Sequence, residues 1–271
     1  MAKISNDDRN QYAEKIKPYR ASIQYFLKRE EEVLRDIGEE GEDAAFKRLA
    51  LSEEMVFLVS NYIILNGISQ SILKLRNEQA LNDGRKSLYK AVIYLEEVVS
   101  PLVDAPFSDY KDKLAEISTV SAQKRYTFVR KIGLALQLLQ DAYGDNTKWR
   151  WAFVELEGRF AAVAKNILDL KTVVANTDPR SPDYEPTVRH LVLIKQLLQR
   201  AASRYRDRYE LSTSNIDDFN TGIMFLNSLK RIHILLRERA DAETVKKKID
   251  IWTTKMETDL KKQKVEAVRR G

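Results

Sequence analysis

The chain has 271 residues, of which 44% are hydrophobic and 32% charged, and its formal net charge is +6. That length and apolar content suit one large or two small domains with a sizeable core, and exclude a wholly disordered chain. Cysteine is absent, which removes disulfides, thiolate metal sites and a cysteine nucleophile, while only nine glycines and six prolines favour an all-α fold over a sheet protein.

The opening stretch, MAKISNDDRNQY, is polar and lacks the apolar region of a secretory signal, so a cytoplasmic location is expected. Tyr12, Ile16, Tyr19, Ile23, Phe26, Val33 and Ile37 then recur at spacings of three and four, with Glu30 the charged misfit. Pro18 lies inside this stripe and predicts a kink or a separate opening helix. Gly38 and Gly41 close the segment.

Residues 55–75, MVFLVSNYIILNGISQSILKL, are the oiliest passage, but only 55–65 are nearly continuous in apolar character. A membrane span needs about 20 such residues, so a core helix is expected, with Ser52, Glu53 and Glu54 at its positive end. Gly84 marks a turn, Pro101 and Pro106 a clear break, and Gly144 the end of a helix over 122–143. Asp145 or Asn146 is placed to cap the helix that follows. Pro179, Pro182 and Pro186 demand a loop or linker, and Ser212 to Asn215 supply a later cap.

Every long segment carries the same alternation, which keeps an apolar stripe on one face and suits nearly parallel packing. The expected architecture is an all-α, elongated, antiparallel bundle of about seven to nine helices with coiled-coil-like stripes. Residues 1–240 would form the bundle, with a possible sub-boundary at 176–186, and 241–271 a basic amphipathic helix and tail.

Chemical signatures are scarce. No phosphate loop, dinucleotide fingerprint or nucleophile elbow occurs. The two histidines, His190 and His233, lack the Glu-x-x-His spacing of di-iron bundles and the His-Glu-x-x-His spacing of zinc sites, and read as partly exposed helix residues. Neighbouring carboxylates such as Glu53–Glu54 point apart on a helix. No catalytic residue, metal or cofactor is therefore assigned, and a non-enzymatic protein is expected.

Two surfaces stand out instead. Arg200, Arg204 and Arg208 fall four residues apart and form a basic ridge bordered by Tyr205, an arrangement suited to phosphate contact and base stacking, with internal ion pairing the competing explanation. In the C-terminal helix, Val245, Ile249, Trp252, Met256 and Leu260 form a narrow apolar stripe between lysines, suited to docking in a groove of its own chain or of a partner. These features point to an interaction or scaffold protein with a protein partner or self-association. Nucleic-acid binding is the alternative, and a membrane location is not expected.

Overall fold

The computed structural model describes residues 4–38, 43–144 and 147–270, with side chains as far as Gln263. The expected end of the first helix at Gly41 and the cap at Asp145 or Asn146 lie outside the described residues. Among those described there are ten α-helices and no strand, so the fold is an all-α multi-helix bundle. Two short helices, α4 (Lys111–Glu116) and α7 (Val173–Asn176), carry the count past the expected nine.

The chain divides into two compact units. Unit 1 comprises residues up to Val99 with Lys113–Val120 and Thr127–Arg150; unit 2 comprises Ser100–Asp112, Ser121–Tyr126 and the chain from Trp151 onward. This division differs from the expected one. The proline-rich loop at 176–186 falls inside unit 2, and so does the C-terminal helix.

Unit 1 is built on α1 (Asn6–Ile37), α2 (Ala44–Ile68), α3 (Glu78–Val98) and most of α5 (Ala122–Tyr143). Ser5 opens α1 with a reciprocal cap, its hydroxyl accepting from the Asp8 amide while the Asp8 carboxylate accepts from the Ser5 amide. Pro18 lies within α1, which runs unbroken through it, so no separate opening helix forms. Contacts between α1 and α2 step in opposite directions along the two chains: Asp36 with Lys47 (2.7 Å), Arg29 with Glu54 (2.6 Å), and Ser22 with Asn61 (3.1 Å). The same reversal relates α2 to α3, through Arg48 with Glu97 at 2.5 Å and the Ser52 hydroxyl donating to the Ala91 carbonyl at 2.6 Å. These neighbours are antiparallel.

The misfit Glu30 is explained here, since its buried carboxylate accepts from the Tyr94 hydroxyl and from Lys90 at 2.7 Å. Residues Ala44–Leu73 are, by length and composition alone, apolar enough to cross a membrane. Within unit 1, however, Met55, Leu58 and Val59 are fully buried against their neighbours, together with Leu81, Leu88 and Leu139. The helix starts at Ala44, so Glu53 and Glu54 are not at its positive end; they pair with Lys131 and Arg29 instead.

Unit 2 repeats the plan with α6 (Arg150–Asn166, from its second residue), α8 (Tyr184–Arg208), α9 (Ile216–Leu235) and α10 (Arg239–Arg270). Glu157 meets Arg200 and Arg204 while Ala164 meets His190, so α6 and α8 are antiparallel. Lys195 meets Glu238 beyond the end of α9, whereas Tyr209 stacks on Phe219 near its start, so α8 and α9 are antiparallel too.

The central hairpins of the two units share their design. Both α2 and α8 have 25 residues and end in a five-residue π turn, Ser69–Leu73 and Tyr209–Thr213. A left-handed residue closes each turn, Lys74 (φ 54°) and Ser214 (φ 48°). An asparagine cap then opens the next helix, Asn77 accepting from the Ala80 amide and Asn215 from the Asp217 amide. Seven residues on, Gly84 and Gly222 lie where the helices approach most closely; a Cβ there would stand 3.2 Å from the Tyr62 Cβ and 3.1 Å from the Ala202 carbonyl. Gly84 is thus a packing position inside α3 and not the expected turn.

Helical glycines differ sharply in their surroundings. A Cβ on Gly158 would lie 2.6 Å from the Tyr205 ring and 3.1 Å from Phe225, whereas one on Gly67 would meet nothing within 4 Å. Gly158→Ala is expected to destabilise by about 1–3 kcal/mol through overpacking. Gly67→Ala is expected to stabilise by up to about 1 kcal/mol through helix propensity. Chemical denaturation midpoints of the two variants, moving in opposite directions, check this.

Candidate functional site

Unit 2 holds both surfaces singled out by the sequence, and its packing engages most of each. In the ridge, Arg200 and Arg204 reach the buried Glu157 carboxylate at 3.2 and 3.3 Å, and Arg208 pairs with the buried Asp218. Tyr205 is buried against Phe225, its ring stacked at a centroid distance of 5.6 Å. The ridge therefore serves first as internal ion pairing. Arg200 and Arg204 share one acid, Glu157, 43 and 47 residues away, and do not pair with the adjacent Asp207 or Glu210. Arg200 alone of the three keeps a largely exposed side chain, at 60%. Tyr205 offers no face for base stacking.

Of the two occupants expected for the α10 stripe, its own chain covers most of it. Val245, Ile249 and Trp252 are buried by the chain itself, and Met256 and Leu260 are half-buried. Trp252 packs on Phe219 at 5.8 Å, beneath Arg206 and Lys248, whose cationic groups sit 5.1 and 4.9 Å from its ring. Burial, with the nearby Arg206, lowers the Lys248 ammonium from its ordinary range. The stripe is an intramolecular docking face.

Only His233 is partly exposed, as expected; His190 is buried. His190 is 1% exposed, and its Nε2 donates to the Ala164 carbonyl at 2.9 Å. Desolvation pushes its pKa down to about 4, so the ring is neutral in the folded chain. His233 Nδ1 lies 2.6 Å from Glu238, with Asp241 close enough to complete a three-ligand cluster. Lys195, however, donates to both Glu238 oxygens at 2.6 Å. Burial would raise that carboxyl, but the hydrogen bonds from Lys195 and His233 outweigh it and hold the group low. The carboxylate is thus already answered by an ammonium, which a second cation would have to displace.

What remains open on unit 2 is a basic end around the α9–α10 corner. Lys230, Arg237, Arg239 and Lys246 line a groove of about 540 Å³, with Ile234 and Ala242 as its apolar surface. Glu243 is the one acid lining it among the described residues, and it faces Lys246 at 3.7 Å. Lys230, Arg237 and Arg239 form no ion pair among the described residues. Arg237 also holds the corner in a left-handed conformation, φ 60°, an unfavourable geometry for a side chain other than glycine. The sequence reading missed this groove. Its signal was the cluster of cations in LKRIHILLRERA, interrupted by few acids.

A neighbouring cleft of about 600 Å³ is lined by Lys111, Lys165, Lys171 and Arg231 over an apolar surface that includes Val103, Phe107, Ile232 and Leu235. Arg231 pairs with Asp104. Lys165 is 4% exposed, donates to the Val103 carbonyl at 2.9 Å, and is lowered by burial to about 8. Beside it Asn166 donates to the carbonyls of Ser100 and Leu102, at 2.7 and 3.1 Å. These bonds hold the Pro101–Pro106 segment against α6.

The fold and these basic clefts define a helical-bundle protein with cation-lined surfaces. Over residues 8–260 the chain matches the TP0443 family model, and it belongs to that family. No curated protein and no solved structure matches it.

His190 gives unit 2 an acid sensitivity whose sign is fixed. Its pKa is about 4 folded and about 6.5 unfolded, so between these values only the unfolded chain takes up the proton. Stability contributed by the neutral ring is complete above about pH 6.5 and is lost as pH falls toward 4. His190→Gln retains a donor for the Ala164 carbonyl. Its unfolding free energy is expected to vary less steeply over that window, by up to about one proton, when denaturation is followed at several pH values.

Proposed function

We propose that this chain is a non-catalytic interaction protein that holds an acidic partner protein in the basic groove at the α9–α10 corner. The observation that carries the reading is the grouping of Lys230, Arg237, Arg239 and Lys246 around one groove, with Glu243 the only acid among its described lining. Cations without internal partners are available to an incoming carboxylate, whereas those of the α8 ridge are already engaged by Glu157 and Asp218. The exposed Ile234 adds an apolar contact at the same place, which suits a protein side chain better than a bare phosphate backbone. Nucleic-acid binding is the second reading. It draws on the same cations but loses the stacking role of Tyr205.

Fluorescence anisotropy with a labelled glutamate-rich peptide, and separately with short single-stranded and duplex oligonucleotides, tests the two readings. Lys230→Glu, Arg237→Glu and Arg239→Glu together are expected to weaken peptide binding by roughly ten- to a hundredfold at low salt, from about 0.5–1 kcal/mol for each charge contact. Unchanged affinity would remove the groove from the reading. Oligonucleotide binding that the peptide cannot displace, with a steep salt dependence, would favour the alternative. Arg237→Gly is expected to relax the corner backbone and leave stability unchanged or raised, yet weaken peptide binding, which separates recognition from folding.

A further inference from the structure

A lysine removed from water normally meets a carboxylate or gives up its proton. Lys165 does neither in full. Its ammonium has three N–H donors, of which the Val103 carbonyl takes one. Among the described residues no other acceptor or carboxylate bonds to it. The Tyr110 ring lies 5.5 Å from its nitrogen, and the Tyr110 hydroxyl is itself buried without a hydrogen-bond partner. With a pKa near 8 the lysine still carries its proton at neutral pH, so a charge with spare donors persists in the wall of the cleft.

The remainder of the cleft is two-sided in chemistry. Lys111 and Lys171 are exposed and form no ion pair among the described residues, so they add positive charge at the rim. Val103, Pro106, Phe107, Leu170, Ile232 and Leu235 supply an apolar wall. A volume of about 600 Å³ falls within the range of small-molecule sites, which are mostly apolar with a few placed polar groups. An oxyanion at Lys165 would complete its hydrogen bonding, and a hydrocarbon body would cover the wall.

We propose that the cleft formed by α6, α9 and the Pro101–Lys111 segment binds a small organic anion, a carboxylate or phosphate head on an apolar body, with Lys165 holding the head. This site is independent of the acidic-partner reading, because the two clefts share no lining residue. A tie between α6 and the proline segment accounts for the bond to Val103, but not for the surrounding cations or for the two unused donors.

Isothermal titration calorimetry of the full chain at pH 7 and low salt, with hexanoate, hexyl phosphate and hexanol, tests the proposal. Saturable one-to-one binding of at least one anion is expected, at least about ten-fold tighter than hexanol, which has the same body without the charge. Whichever anion is tighter identifies the head group. Lys165→Met, of similar length, is expected to reduce anion affinity by about ten-fold or more while hexanol binding is unchanged. Lys111→Glu with Lys171→Glu alters only exposed rim positions. It is expected to weaken anion binding several-fold, and it stands as the test if Lys165→Met does not fold. No saturable binding of either anion, hexanol binding equal to theirs, or unchanged anion affinity in a folded Lys165→Met or in the rim variant would overturn the site.

Discussion

A charge taken out of water has to be answered by something in the fold, and unit 2 is organised around that demand. Glu157 and Asp218 are buried acids, and the arginines of α8 are drawn inward to meet them. The pairings connect α6, α8 and α9, so the ridge that reads as a working surface is a set of internal bonds. Unit 1 meets the same demand on a smaller scale, where Glu30 is answered by Tyr94 and Lys90. Lys165 differs from these groups: it has a carbonyl where Glu157, Asp218 and Glu30 have counter-ions.

This contrast orders the surfaces of the molecule. A cation already matched to a buried acid contributes stability and little recognition, because a partner must first break the internal pair. Those without an internal acid retain their full attraction for an incoming anion. By that criterion the α9–α10 corner and the Lys165 cleft outrank the α8 ridge, although the ridge is the more regular pattern in sequence. Arg237 at the corner stands in a left-handed conformation, as Lys74 and Ser214 do where their hairpins close.

The helical character of the chain was legible because periodicity is local. Spacings of three and four placed Ile16, Ile23, Leu139, Phe160 and Ile194 in the core, where they are buried. Most of the oily passage at 55–65 is buried within unit 1, in keeping with a core helix, although length and composition alone do not distinguish it from a span. Pairing across helices was not legible: nothing local connects Glu157 to Arg204, so internal pairing could be foreseen but not the acid that supplies it. The α10 stripe was seen, but periodicity shows that a face is apolar without saying which surface covers it. Trp252 is covered by α9. Two signals were present and overlooked. Lys165 stands within FAAVAKNIL, an apolar run where a lysine is out of place. The hairpin pattern Asn-x-x-x-Leu-Asn-Asp-Gly at 77–84 returns as Asn-x-x-x-Phe-Asn-Thr-Gly at 215–222.

That returning pattern means that two stretches far apart in the chain solve the same packing problem in the same way. The two hairpins match in the length of their first helix, in the π turn that ends it and in the glycine seven residues after the asparagine cap. Where the first hairpin has Leu139 of α5 over Gly84, the second has the larger Trp252 of α10 over Gly222. Both cation-lined clefts lie in unit 2, so the two hairpins share a framework while the charged clefts go with only one of them.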